Sequence, residues 1–427
     1  MTRLLFIIGV LGFYSSLVYS QTDYNLLLKV KEFSSIAGIS EIELFPFKES
    51  LKGKKIVFLG EGEHGDGTTL ALKAKIIDYL VKNLGFQVLV LELNVFELDQ
   101  ANQLLKKKEL DHSYVLKEAF RLGSYRSVGM EQFYGSITNP KLNVQVAGLE
   151  VSYSNWYQNL LKSLLIQSNI SRDEASEYLK LLVELNILAN NNDGVVFDFG
   201  KFNQMNEKIL GKISNSKAKE NKELLLQTLK NNQNLSHWVS KRPKAFSNKD
   251  EFRHYLSLRD KGMGENLVWL ITKKYAGKKI IVSTSTFHIT RTYSDEPTMV
   301  DFLPDSIQKI SYFLPVITYQ GKRGRDAGIG SFPIRSFKRD SLSFEWWLHT
   351  NNKKYSFIDF TSLEKSELDF LNSFEVEATG MIASGANWTN IYNGVFFIDT
   401  MEPDKIKYFS DKDNEYFERV LYKYKPK

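Results

Sequence analysis

Two short aliphatic runs flank a helix-periodic segment near the start of the chain, and this arrangement restricts the fold more than any other stretch. Ile56–Gly60 is apolar throughout, and Gln87–Leu93 (Gln-Val-Leu-Val-Leu-Glu-Leu) is nearly so. Continuous runs of this kind suit strands buried on both faces. Between them Leu70, Ala74, Ile77, Val81 and Leu84 recur at helical spacing, which predicts a helix over Thr68–Leu84 with one apolar face. Gly85 is a natural stop for it. Strand, helix and strand within about forty residues make a βαβ unit, whose two strands run parallel. The expected class is therefore α/β, a mostly parallel central sheet with flanking helices.

The rest of the chain extends this pattern. Val95–Lys107 reads as a second helix, and Asn143–Leu149 as a third strand, followed by Glu150. From about residue 155 to 275 the texture turns helical, broken at Ala189–Gly194 and Arg242-Pro243. This is a large helical insertion, expected to cover one side of the sheet. The strand pattern resumes at Lys279–Ser283 and runs on to His288. Ile310–Tyr319, Tyr355–Phe360 and Gly394–Thr400 read as shorter strands.

Composition narrows the class of protein. Hydrophobic residues make up 43% of the 427 and aromatics 13%, enough for a packed core. Residues 1–20 have the plan of a secretory signal peptide: Arg3, an apolar Leu4–Leu17, then Val18-Tyr19-Ser20 ending in a small residue. That leaves residues 21–427 as an exported domain, periplasmic or secreted, with no stable membrane span once the signal is removed. Residue 21 is Gln rather than Cys, which argues against a lipid anchor there. Cysteine is absent, so disulfides, thiolate metal sites and a Cys nucleophile are excluded. The formal charge of +6 is spread out. Its densest cluster, Lys106-Lys107-Lys108, ends a helix, where cations meet the helix dipole, and no nucleic-acid partner is expected.

Chemistry concentrates at the carboxyl ends of the strands, where open α/β sheets bind ligands. Gly60-Glu61-Gly62-Glu63-His64-Gly65 follows the first strand directly. Glu92 interrupts an aliphatic strand near its end, a costly place for a carboxylate unless it is paired. Glu150 ends the third strand and His288 follows the fourth. If the first two strands are neighbours, Glu61 and Glu92 come close together, and all of these groups reach one rim. As a joint network they suggest function, although a single Glu after a strand is usually a helix cap. His112, His237, His254 and His349 lie elsewhere and read as surface or structural. Glu345-Trp346-Trp347 reads as a packing element, or as part of an apolar pocket wall.

With those residues in view, the chain resembles the erythromycin esterase-like family. The matching segments are Gly60–Gly65, Leu84-Gly85-Phe86, Leu91-Glu92 and Gly148-Leu149-Glu150. They continue through Arg259-Asp260-Lys261-Gly262-Met263-Gly264-Glu265-Asn266, Phe287-His288-Ile289 and Val395–Thr400. The resemblance spans about residues 50–405. It implies a hydrolase that opens an ester or lactone with water, without a covalent intermediate, a cofactor or an obligatory metal. It places the catalytic groups on His64, Glu61, Glu92 and His288, and substrate contacts on Lys73, Glu150, Ser285 and Arg259. A neutral His64 would take a proton from water, with Glu61 or Glu92 holding the imidazole and His288 with a cation receiving the oxyanion. The family commonly has histidine where Ser285 stands and arginine where Lys73 stands.

Three readings follow. The first is an exported hydrolase acting on a small ester or lactone through these four groups. The second is a metal-dependent hydrolase, since two histidines with Glu61 or Glu92 have the donor types for zinc or manganese. The third is a ligand-binding relative that kept the fold and lost the reaction.

Overall fold

The computed structural model describes residues 23–106, 128–129, 139, 141–153, 158–190, 196–216, 221–243, 246–291, 296–325, 332–376 and 387–405. The signal-peptide stretch, Lys107, Lys108 and His112 lie outside them. The expected βαβ unit is present as β2 (Ile56–Glu61), the helix α2 (Gly67–Leu84) and β3 (Val88–Asn94), with Gly85 closing α2 in the left-handed conformation at φ 68°. It is preceded by β1 (Lys31–Glu32) and the short α1 (Phe45–Ser50). Next come α3 (Val95–Lys106) and β4 (Gln145–Glu150).

The helical stretch holds α4 (Gln158–Gln167), α5 (Arg172–Asn190), α6 (Phe199–Asn215), α7 (Lys222–Ser240) and α8 (Lys249–Trp269), the last continued by a π turn at Leu270–Lys274. β5 (Ile280–Ser285) follows, then β6 (Ser311–Arg325), β7 (Phe332–Lys338), the helix α9 (Phe344–Thr350), β8 (Tyr355–Asp359) and β9 (Gly394–Met401).

These strands form one sheet in the order β1-β8-β9-β6-β2-β5-β3-β4, with β7 on the far part of β6. The centre is parallel: β2 pairs with β5 and β6, β3 with β4 and β5, and β6 with β9. At the margins the pairs β1–β8, β8–β9 and β6–β7 are antiparallel.

Two expectations change here. β2 and β3 are parallel but not neighbours, because β5 lies between them, pairing Ile281 with both Val57 and Leu89. And β6, expected to be short, runs to Arg325 and gains the partner β7. Among the described residues no helix is long and apolar enough to cross a membrane.

Both sheet faces are buried, as the continuous aliphatic runs require. Val57 and Leu59 join a core shared with α2, while Ile56 and Phe58 join a second core with Met263 and Leu267 of α8. Phe58 stacks on Phe313 at 4.7 Å. The Glu345-Trp346-Trp347 segment belongs to this second core through Trp347, which stacks on Phe344 at 5.3 Å. Helices α4 to α7 enclose a third core that meets the sheet through Phe96, Val151 and Tyr153, residues just past the ends of β3 and β4. Helices α4 to α7 of the insertion thus pack beyond the carboxyl rim, while α8 covers one face of the sheet. Long α8 joins the two bodies, with Tyr255 in the third core and Met263 in the second.

Gly60 is where the two halves of the rim touch. A Cβ there would sit 2.5 Å from Thr286 Oγ1 and 2.9 Å from Thr286 Cα, in the turn that carries His288. Part of that clash is with backbone, which cannot rotate away. Gly60→Ala is expected to lower stability by about 1–3 kcal/mol, read as a lower denaturant midpoint; an unchanged midpoint would show that the turn can move aside.

Candidate active site

The strand ends aim their carboxylates by the two-residue alternation of a strand. Glu61 shares the parity of Val57 and Leu59 and leaves toward α2. Glu92 shares the parity of Val88 and Val90 and leaves toward α8. Each meets a cation from the helix it faces.

On the α2 side, Lys73 is fully buried and makes a very short contact from Nζ to Glu61 Oε2. It also donates to the Thr284 carbonyl at 3.3 Å. The other oxygen, Glu61 Oε1, lies 3.2 Å from His64 Nδ1. Burial opposes the charge on Glu61, but Lys73 and His64 outweigh it and hold the carboxyl below its ordinary range. Burial likewise opposes a charged His64, yet the bond to Glu61 and the charges of Glu92 and Glu61 raise its pKa. A third of the His64 side chain is exposed.

On the α8 side, Arg259 donates from Nη2 to Glu92 Oε1 at 2.8 Å and from Nε to Glu150 Oε2 at 3.0 Å. Glu150 is turned back on its own chain, accepting from Val151 N at 2.7 Å. Glu92 also accepts from Thr284 Oγ1 at 2.8 Å, from the Ser285 amide at 3.3 Å and from His288 Nε2 at 3.2 Å. The second nitrogen of His288 lies 2.7 Å from Asp260 Oδ1. Burial opposes the imidazolium, but Asp260 and Glu92 raise His288 to about 10. Burial opposes the charge on Glu92 as well; His288, His64 and Arg259 override it and push Glu92 well below the usual carboxylate range.

All eight residues singled out from the sequence therefore lie in or beside one network, with roles that differ from residue to residue. Lys73, expected to contact substrate, is sealed against Glu61 and acts on that carboxylate instead. Glu150 is only 6% exposed and is spent on Arg259 and on local amides. Ser285 donates its amide to Glu92, and its hydroxyl accepts from the Phe287 amide at 3.3 Å, capping the turn that carries His288. Of the charged groups in the network, His64 and Arg259 have the most side-chain surface open, 33% and 19%.

The motif loop itself is held by β6. Arg325 donates to the His64 carbonyl at 2.9 Å and pairs with Asp404 at 3.1 Å, while Gly324 N and Asp404 N both donate to Gly65 O. A Cβ on Gly65 would meet the Gly324 backbone at 2.6 Å, so glycine is required for this approach. Asp260, Thr284 and Arg325 were not singled out as site residues. Asp260 had a signal, being an acid beside Arg259 on a helix that faces the rim. Of the remaining histidines, His254 pairs with Glu296 at 2.9 Å and His349 with Asp399 at 2.6 Å, both apart from this network.

One ligand atom each from Glu61, His64 and Glu92 lie within 4.8 Å of one another, the trio among the described residues that could share a metal ion. Their charges are already matched, Glu61 by Lys73 and Glu92 by Arg259 and His288. A dication would have to compete with three protein cations, so the trio fits a resident metal poorly.

No family model matches the chain. The Bacillus subtilis (strain 168) protein named "Putative hydrolase YbfO" is 25% identical over 326 residues, which cover 67% of this chain and 69% of that protein. A Bacillus cereus protein of solved structure superposes with a TM-score of 0.68 at 19% identity, covering 91% of this chain and 99% of its own. A succinoglycan biosynthesis protein gives 0.68 at 14% identity, over 91% and 98%. A mutant of the erythromycin esterase EreC, in its open conformation, gives 0.64 at 13% identity, over 86% and 96%. The resemblance read from the motifs thus holds at the level of the fold.

Two outcomes follow from the buried charges. Lys73→Met would strand Glu61 and is expected to cost about 3–5 kcal/mol, with part of the loss recovered in the Lys73→Met/Glu61→Gln double variant. The second concerns pH. Because His288 is raised to about 10, its ion pairs contribute stability that is fully present below about pH 6.5 and lost as pH rises through about 10. Glu92, being depressed, contributes stability present above its ordinary 4.5 and lost as pH falls through its lowered pKa. Denaturant midpoints across pH should show a plateau between these limits, and His288→Gln should flatten the alkaline limb.

Proposed function

We propose that this protein hydrolyses an uncharged carboxylic ester or lactone, with His64 as the general base that activates water. The observation that carries this reading is the Lys73–Glu61–His64 chain. A fully buried ion pair fixes a carboxylate against Nδ1 of a histidine whose ring is partly open. Glu61 sets the tautomer, so that Nδ1 carries the proton and Nε2 is the basic nitrogen, and it stabilises the imidazolium that forms. Arg259, the most open fixed cation of the α8 side, supports the developing oxyanion from beside Glu92. His64 later returns its proton to the leaving alkoxide.

The charge balance supports an uncharged substrate. Lys73, Arg259, His288 and protonated His64 face Glu61, Glu92, Glu150 and Asp260. These charges cancel only while His64 is protonated; with His64 neutral, as the reaction requires, three cations face four carboxylates, which leaves no surplus cation in the network for a phosphate or carboxylate, whereas a neutral carbonyl asks for none. The named hydrolase relative and the fold shared with the erythromycin esterase support a hydrolase. Export belongs to the proposal, on the strength of Arg3 and the apolar Leu4–Leu17 stretch.

The test is mass spectrometry of an ester and lactone panel, macrolides included, incubated with wild type and His64→Asn, with and without chelator. The expected result is a product of hydrolysis whose rate falls by about 10²–10⁴-fold in the variant and is unchanged by chelator. Its rate should rise with pH along a limb above the ordinary histidine value of about 6.5, because His64 is raised and must lose a proton to act. Turnover abolished by chelator would replace this reading with a metal-dependent one. Folded wild type that turns over nothing would replace it with a binding protein.

A further inference from the structure

The site contains two histidines, and their surroundings differ. His64 has one carboxylate on Nδ1 and a third of its side chain open, whereas His288 is only 4% exposed at its side chain and has a carboxylate at each ring nitrogen. Nδ1 makes an ion-pair contact with Asp260 Oδ1 at 2.7 Å, off the line of a hydrogen bond, and Nε2 lies 3.2 Å from Glu92 Oε1. Asp260 is itself fixed. It is fully buried on α8, and its second oxygen accepts from the Met299 amide at 2.9 Å, at the start of a short 3-10 turn. Consecutive residues of one helix thus send Arg259 and Asp260 into the same cluster.

We propose that Asp260 is a positioning residue for the hydrolysis. It clamps His288 from behind so that the imidazole spends its outward N–H on Glu92 and acts through that carboxylate rather than on the substrate.

The geometry traces the line of action. Glu92 takes donors from Arg259, Thr284, Ser285 and His288 on its two oxygens, so its orientation is over-determined. An oxygen of Glu92 and a nitrogen of His64 belong to the trio within 4.8 Å. The fixed negative charge of Glu92 therefore stabilises the imidazolium formed on His64 when water loses its proton. Asp260 lies one residue further back in the same row: Asp260, His288, Glu92, His64. The alternative is a neutral His288 that accepts from Arg259, whose Nη1 lies 3.4 Å from Nε2. Asp260 would then fix a tautomer but leave Glu92 without its fourth donor.

The inference rests on the proposed hydrolysis for its kinetic consequence but not for its structural one, and the experiment separates the two. The first measurement is ¹⁵N and ¹H NMR of histidine-labelled full-length protein at neutral pH without substrate, with the His288 resonances identified by their loss in His288→Gln. Wild type is expected to show both His288 nitrogens protonated and an Nδ1 proton downfield of that of an unpaired imidazolium. In Asp260→Asn, where the amide oxygen can still accept from Met299 N, that proton should move upfield. With an ester that wild type cleaves, Asp260→Asn should lower kcat by about 10–100-fold and leave KM within about two-fold, and Asp260→Glu should restore part of kcat.

An unprotonated Nε2 in wild type would overturn the proposal without any variant. So would an Asp260→Asn protein that keeps both the downfield proton and the wild-type kcat. A panel that yields no substrate defeats the hydrolase reading alone; the NMR result still decides whether His288 is clamped.

Discussion

The contact between Lys73 and Glu61 is the constraint from which the rest of the rim is built. Neither side chain reaches water, and a lone charge in that position would cost several kcal/mol after relaxation. The two neutralise each other only because a strand end and a helix face are brought together by the short Gly62–Asp66 loop. That loop is in turn held from outside by Arg325, Asp404 and the amide of Gly324. Once Glu61 is fixed, His64 has one orientation available to it, and the remaining charges arrange themselves around that pair. The same reasoning explains why the cations come from helices and the carboxylates mainly from strands. Strand ends converge, whereas helix faces can supply long side chains from either side of the sheet.

The two sides are built differently. The α2 side is a linear chain of three groups that ends at a partly open imidazole. The α8 side is a closed mesh in which Glu92 accepts two donors on each oxygen and Glu150 has turned toward its own backbone. A linear chain can pass a proton at its open end, while a mesh resists any change of charge. The proposed division between His64 as the reacting group and His288 as a holding group rests on this contrast, without reference to any relative.

Much of this was legible in the sequence, for stated physical reasons. Burial on both faces could be read from Ile56–Gly60 and Gln87–Leu93, because a strand exposed on one face would alternate. The convergence of Glu61, Glu92, Glu150 and His288 followed from each being placed at a strand end. Strand order did not follow. Periodicity reports which face is buried but not which strand lies alongside, and β5 could be seen as a strand but not as the one separating β2 from β3. Lys73 was assigned to substrate by analogy, although its place between Leu70 and Ile77 on the apolar face of α2 already indicated burial. Asp260 escaped because attention to strand ends passes over helices, and its partner lies in a turn that only the folded chain brings near. The clamp on the motif loop was out of reach, since Arg325 and Asp404 meet His64 and Gly65 across most of the chain.

The position of β5 also bears on how the molecule reaches this state. Its ladder with β2 and β3 joins residues separated by the whole helical insertion, so the loop it closes is among the longest in the chain. The segment from β2 to β4 can collapse early around local contacts, but until β5 arrives there is a gap at its centre. Thr284, Ser285 and His288 are then missing, and Glu92 has none of the donors they supply. The network around Glu92 is thus incomplete in any partly folded form in which β5 has not docked.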